Sequence, residues 1–380
     1  MREGRIVVSG HVCLDLSPRF ERASGSSLAD ALQPGSLVMV GECVISTGGA
    51  VANTGLALTR FGVDTALMGK VGDDTFGQAV IERLERHGCA GGIRRVSGEH
   101  TSYSIVIAPP GIDRAFLHNP GANDTFGADD VDYEAVGRAD IFHLGYPPVL
   151  RRLRRNDGEE LRRIFQRVKE LGVTTSLDMS MPDTNAASGR ADWRAIFKNV
   201  LPHTDLLLPG AEEMLLCLEG DRFARMRREA AERRLSIVDL LQPADFSRLA
   251  ERLLADGAGI VALKSAHRGI YLRTGSRRRL EGLGRAAPRD LAAWSDRQLW
   301  QPACSVDEVV SATGAGDCAV AGFLAAFLRG EPIEQVLKCA AVAGAQNLSA
   351  QDAVSGLGSY EEVSEAARKA PDSAIMNYEL

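Results

Sequence analysis

The chain has 380 residues, a formal net charge of −6, 45% hydrophobic and 25% charged residues. That length and balance suit one large globular unit with a full core, spanning residues 1–380. The negative balance argues against a general nucleic-acid binder, which is usually basic, and leaves room for a local positive pocket. No apolar run approaches the roughly 20 residues that cross a bilayer. The N-terminus lacks the apolar stretch and cleavage site of a signal peptide. Seven scattered cysteines with no C-x-x-C pair argue against a disulfide framework or a structural zinc site. The expected setting is reducing and cytoplasmic.

In chain order, Ile6 to Ser9 reads as a strand. Residues 11–18 and 36–46 read as strands of a small separate β element. Thr47-Gly48-Gly49-Ala50-Val51-Ala52-Asn53 then opens an Ala/Leu-rich helix ending at Phe61-Gly62. The glycine pair lets a ligand approach the backbone, and Asn53 offers donor and acceptor groups for hydroxyls. The same pattern also describes a helix start with a solvated Asn. Thr65 to Met68 is a further strand, and Val71-Gly72-Asp73-Asp74 is a turn. A helix follows, with Phe76, Val80, Ile81 and Leu84 on one face.

Thr101 to His118 is rich in Val, Ile, Ser and Thr around a Pro109-Pro110-Gly111 turn. It reads as antiparallel strands within residues 101–120 that complete the small β element and cover a pocket. Ile141 to Leu144, Val173 to Leu177, Leu206 to Leu208 and Ile260 to Leu263 are short apolar runs between helical or polar stretches. That alternation is the mark of an α/β fold, a doubly wound, mainly parallel sheet with helices on both faces. The Arg-rich stretch from Arg151 to Arg167 reads as a solvated helix face. Asp221 to Arg234 is a charged surface helix. Leu280 to Pro302 reads as an irregular surface connection containing Trp294 and Trp300.

The strongest chemical signal is Val309-Val310-Ser311-Ala312-Thr313-Gly314-Ala315-Gly316-Asp317. A Gly-rich turn opens a helix striped by Val320, Phe323, Leu324 and Phe327. Free N–H groups and the helix dipole at such a start attract anionic oxygens. Asp317 puts a carboxylate beside that anion site, which suits removing a proton from a hydroxyl while amides hold a phosphoryl group. Taken alone, the turn also reads as a capped loop-to-helix junction. Gly314, Gly316 and Ala319 fit a Gly-x-Gly-x-x-Ala dinucleotide fingerprint too, but a second helix from Ile333 to Leu348 follows where that motif needs a strand. No Gly-x-x-x-x-Gly-Lys-Ser/Thr sequence is present.

Gly48-Gly49-x-x-x-Asn53 through Val71-Gly72-Asp73-Asp74, followed far downstream by Thr313-Gly314-Ala315-Gly316-Asp317, resembles the two signatures of the ribokinase-like, or PfkB, carbohydrate kinases. The resemblance runs from Gly10 to about Gly356. It implies a ribokinase-like α/β domain with a small β-strand lid, which often contributes to a homodimer. It implies an ATP- and Mg²⁺-dependent kinase acting on a hydroxyl of a sugar-like substrate, with Asp317 as base and the amides of Gly314, Ala315 and Gly316 as the anion hole. Thr313 and the loop Ala266 to Gly269 would border the nucleotide. Asp15 would bind substrate hydroxyls, assisted by Gly48, Gly49 and Asn53. Glu213 would help organise magnesium through water.

Three positions depart from the family pattern. Gly210 replaces the Asn of an Asn-x-x-Glu motif, Ala266 replaces the first Gly of the nucleotide loop, and Ser311 replaces an Asp associated with a monovalent cation. The first alters the magnesium and phosphate network, and the third puts potassium activation in doubt. In the lid-like segment, Arg114 reads either as an exposed surface Arg or as a reader of substrate phosphate or carboxylate, and His118 either as a structural His or as a sugar contact. Asn123 follows just behind them, and His11 is a further candidate. A sugar or sugar derivative is the leading substrate class. A nucleoside and a non-catalytic sugar-binding regulator are the alternatives.

Overall fold

The computed structural model describes residues 4–21, 27–112, 114–350 and 352–370. Thirteen strands are present among them: β1 (Arg5–Gly10), β2 (Cys13–Pro18), β3 (Cys43–Gly48), β4 (Asp64–Gly72), β5 (Ile93–Val96), β6 (Tyr103–Ile107), β7 (Ala115–Asn119), β8 (Ile141–Gly145), β9 (Thr174–Asp178), β10 (Leu206–Leu207), β11 (Ile260–Lys264), β12 (Ile270–Thr274) and β13 (Gln298–Gln301). Nine of them form one sheet in the order β13-β12-β11-β10-β9-β8-β1-β4-β5. From β11 to β5 every neighbour pair is parallel, and β12 and β13 add antiparallel at one edge.

The strands read as unbroken apolar runs because both faces of the sheet are covered. Side chains alternate between faces along a strand. Thus Ile6 and Val8 join one buried cluster while Val7 joins the other, and Ile260 and Ala262 part from Val261 and Leu263 in the same way. Helices α1 (Ala50–Arg60), α3 (Ala315–Arg329) and α4 (Ile333–Asn347) contribute to the first cluster. Helix α2 (Ala211–Leu218) contributes to the second. Helix α3 is apolar nearly all round, as a helix sandwiched between sheet and α4 must be.

The small sheet has the order β3-β2-β6-β7. It is a β element separate from the main sheet, with β2 inside residues 11–18 and β6 and β7 inside residues 101–120, of which residue 113 lies outside the described residues. Two expectations need correcting. Residues 36–42 carry no regular element, and only Cys43–Gly48 pairs with β2. The regular ladder ends at Pro18↔Cys43, and beyond it Arg19 N–H donates to Glu42 O at 3.1 Å and Gly41 N–H to Arg19 O at 2.7 Å outside any strand. The connection from Leu280 to Pro302 is not a surface addition. It carries β13, whose Leu299 and Trp300 bury on opposite faces of the main sheet, and Trp294 packs edge-on against Phe327 at 5.2 Å. A four-residue strand with one apolar side chain on each face is too short to stand out from a polar surround. Among the described residues, no helix is long and apolar enough to cross a membrane.

Candidate active site

The chemistry gathers where the parallel strands end. His11 follows β1, Tyr146 follows β8, Asp178 ends β9, Gly210 follows β10 and Lys264 ends β11. The carboxyl edge of an open α/β sheet is where ligands bind.

Asp317 lies in the first turn of α3, where the helix dipole favours a carboxylate. It is 3% exposed. Asn53 Nδ2 donates to Oδ2 at 2.9 Å, and Thr54 Oγ1 and Tyr146 Oη donate to Oδ1 at 3.2 and 2.6 Å. A carboxylate has about four acceptor positions, so these donors fix its orientation and leave room for one more partner. Burial, reinforced by the neighbouring Asp317 and Asp178 charges, pushes the Tyr146 phenol well above its usual range, so it remains a donor.

The Gly-rich turn leads directly into α3. Gly314 is the N-cap at φ 76°, and among the described residues the N–H groups of Gly314, Gly316 and Asp317 have no protein acceptor. The Ala315 N–H leans back to Ala312 O at 3.4 Å, which turns it from the hole it was expected to line. Asn347 Nδ2 from α4 holds Thr313 O at 2.8 Å, and Arg114 Nη1 from the lid reaches Thr313 Oγ1 at 2.6 Å. Behind the turn is a cavity of about 730 Å³, bordered by Ala266, Gly269, Ala312, Gly316 and Ala341. Its size and apolar walls suit a small-molecule ligand. A smaller concavity of about 580 Å³ near Arg5 and Asp132 is remote from these groups.

Asp15 projects from β2 beside Gly48. A Cβ at Gly48 would sit 2.1 Å from the Asp15 carboxylate, so only glycine leaves it room. Cys13 Sγ donates to Asp15 Oδ1 at 3.3 Å. Burial raises the Asp15 carboxyl, hydrogen bonds from Cys13 and Ser104 pull it back, and the Asp317 charge raises it again. Gly49 starts α1 at φ 85°, with His11 O where a Cβ would stand, 2.5 Å away. His11 stacks beside Tyr146 at 5.9 Å and meets His118 edge-on at 5.1 Å. Burial, then the neighbouring His118, keeps its imidazole well below the usual range, and among the described residues neither ring nitrogen has a partner. His118 Nδ1 shares a hydrogen with Ser104 Oγ at 3.0 Å. Asn123 turns away from the pocket, clasping the main chain of Val12 with both amide atoms.

Glu213 caps its own helix, accepting from Gly210 N at 2.7 Å. It is buried beside Lys264 and Asp178. Burial, with the Asp178 charge, outweighs the Lys264 ammonium and pushes its carboxyl up to about 8. Asp178 is raised to about 6 by the same burial, against Lys264 Nζ at 2.8 Å from each of its oxygens. Among the described residues, no three His, Cys, Asp or Glu side chains cluster as a metal site.

The structure thus brings Asp317, Asn53, Asp15, Gly48, Gly49 and the 313–316 turn together. Thr54, Tyr146, Asp178 and Lys264 belong with them and were not singled out in the sequence. Asp178 and Lys264 carry a signal there, a charged residue closing an apolar parallel strand. Thr54 and Tyr146 carry none.

The chain matches the pfkB family carbohydrate kinase over residues 4–357. An uncharacterized sugar kinase of Archaeoglobus fulgidus is 28% identical over 281 residues, 74% of this chain and 89% of the relative. Among solved structures, Arabidopsis thaliana ribokinase complexed with ribose and ATP is similar at TM-score 0.68 and 19% identity, covering 97% of this chain and 99% of that one. A candidate ribokinase II of E. coli, in complex with ATP and Mg²⁺, has TM-score 0.68 at 20% identity over 96% and 99% of the two chains.

Proposed function

This chain belongs to the pfkB family of carbohydrate kinases, phosphotransferases acting on an alcohol group, and from that premise we propose that it transfers the γ-phosphoryl group of ATP to a hydroxyl of a sugar or sugar derivative, in the cytoplasm. The observation that carries the reading is one buried carboxylate, Asp317, oriented by three donors and adjoining a helix start with unpaired amides.

Asp317 takes the proton of the acceptor hydroxyl as the hydroxyl oxygen attacks in line. The amides of Gly314 and Gly316, with that of Asp317 itself, receive the charge on the transferring group. Asp15 orients the acceptor through its other hydroxyls, and His118 and Arg114 close the pocket from the lid. The nucleotide lies in the cavity past Ala266 and Gly269, with Thr313 at its border. The solved relatives with ATP, and with ATP and Mg²⁺, support both ligands here. The buried carboxyl of Glu213 at the end of the sheet suits a hard cation held chiefly by phosphates and water. Magnesium, when bound, would neutralise phosphate charge, with Glu213 reaching it through water. The exposed side chains of Val44, Ile45, Phe116 and Leu117 on the lid strands fit a second copy of the chain.

The nucleoside reading gains one observation. The rings of His11, His118 and Tyr146 form a surface on which a base could stack.

A coupled ADP-release assay over sugars, sugar acids, sugar phosphates and nucleosides tests these readings together. Sugar-dependent ADP release is expected, and release with nucleosides alone shifts the assignment to the second reading. Silence across the panel favours a non-catalytic binder. Asp317→Asn is expected to fold, bind ATP and lose about 10²- to 10⁴-fold in kcat. Near-normal turnover removes Asp317 from the base role.

A further inference from the structure

The buried pair Lys264–Asp178 has no part in the transfer as described so far. Asp178 ends β9 and Lys264 ends β11, so the pair spans the end of β10 between them. Lys264 N donates to Pro209 O at 2.8 Å, and Gly210, bridged to Lys264, presents no side chain to fill the space above that strand. The ammonium lies across this gap, with Nζ 2.8 Å from both Asp178 oxygens.

Its other side faces the Gly-rich turn. A Cβ built on Gly316 would lie 3.9 Å from Nζ, and Lys264 lines the same cavity as Gly316 and Gly269. An ammonium has three N–H donors. Two are taken by Asp178, and among the described residues no acceptor within hydrogen-bond reach takes the third. The Asp178 side chain is 1% exposed and that of Lys264 18%, so the open side of the pair is the cation. A buried ion pair adds little stability, because its attraction barely offsets the lost hydration of both charges. A phosphate entering beside the buried Asp178, Glu213 and Asp317 carboxyls also needs positive charge close by.

We propose that Lys264 is a catalytic residue whose ammonium, held by Asp178, binds the terminal phosphate of the nucleotide and neutralises the charge that builds on it during transfer. This rests on the reading of the site as a phosphoryl-transfer centre. No bond to Lys264 forms or breaks, and it keeps its proton throughout.

The test measures ATP and ADP dissociation constants by calorimetry for the wild type, Lys264→Met and the double variant Lys264→Met/Asp178→Asn. The double variant removes both charges and so leaves no lone buried carboxylate to unfold the protein. Losing one charge-assisted hydrogen bond is expected to weaken ATP about tenfold more than ADP. kcat should fall about 10²-fold with the acceptor KM within about twofold. Equal changes for ATP and ADP, or none, in a folded variant overturn the assignment. Wild-type protein that turns over no acceptor while the ATP-against-ADP difference holds would defeat the Asp317 reading and leave Lys264 standing. Turnover that depends on Asp317 without that difference would do the reverse.

Discussion

The Tyr146 hydroxyl donates to Asp317 Oδ1 at 2.6 Å from a residue whose backbone lies at φ 70°, ψ 51°. The left-handed region costs a residue with a Cβ about 1 to 2 kcal/mol, and such strain persists where the surroundings over-determine it. Here Tyr146 N bonds Asp178 O at 3.3 Å and Pro147 follows directly, so the ring is aimed by both neighbours. Tyr146→Phe keeps the ring against His11 and removes only the donor. We expect a folded protein with unchanged ATP affinity and kcat lowered about tenfold, since the carboxylate can then turn away from its proton. Steady-state kinetics beside an ATP titration decides it; wild-type kcat would show that Asn53 and Thr54 suffice.

The carboxyls around Lys264 set a pH dependence of stability. Glu213 is raised to about 8 and Asp178 to about 6, both first by burial. In the unfolded chain such groups lose their protons near about 4. Between those values the folded state holds protons that the unfolded state has lost, so this contribution to stability is complete at low pH and drains away as pH rises. Glu213→Gln removes the larger part while still offering Gly210 N–H an acceptor. Chemical denaturation at pH 5, 6, 7 and 8 is expected to show the variant gaining on the wild type at each step. A constant difference across the series would mean that Glu213 titrates normally.

The two ends of the loop after β11 obey opposite constraints. Ala266 sits at φ 45° and Gly269 at φ 105°. At Gly269 a Cβ would meet Gln301 O at 2.0 Å and Ala303 N at 2.6 Å. Ala266, where the family pattern has Gly, therefore holds a backbone shape that glycine adopts more freely, at a cost. Ala266→Gly should raise stability by about 0.5 to 1 kcal/mol, the relief of strain exceeding glycine's extra unfolded-state entropy. Gly269→Ala should lower it by more than about 2 kcal/mol and weaken ATP binding. Paired thermal melts read both signs, and a destabilised Ala266→Gly would refute the argument.

These contrasts show which features a sequence carries openly. The parallel strands were legible because burial on both faces writes itself as unbroken runs such as Ile6-Val7-Val8 and Ile260-Val261-Ala262-Leu263. The Gly-rich turn was legible because a helix start with a left-handed N-cap at Gly314 and further small residues behind it restricts residue type over consecutive positions. β13 was not, since its four residues satisfy two faces at once and sit among charges. Asn53 was legible as a polar group at a glycine-led helix start, but its partner was not. That Nδ2 reaches Asp317 across 264 positions of sequence is a property of how α1 packs on α3, which no local pattern encodes. Tyr146 is the same case with a backbone twist added.

The remaining link joins the lid to the nucleotide turn. Arg114 Nη1 donates to Thr313 Oγ1 at 2.6 Å, and its guanidinium lies 5.4 Å from the Phe116 ring centre on β7. Among the described residues β7 is an edge strand paired through β6, with Phe116 and Leu117 exposed. Few buried contacts hold it, so it belongs among the segments that open first. Under the proposed function, this tie to Thr313 would couple lid closure to the Gly-rich turn and help exclude water once both ligands are bound. Arg114→Met keeps the apolar stem against Phe116 and removes the donor. We expect faster amide exchange across Ala115–Asn119 and an acceptor KM raised about tenfold, with ATP affinity within about threefold of wild type. Exchange as slow as wild type would mean that the strand is held by β6 alone. A KM unchanged despite faster exchange would separate lid opening from acceptor binding.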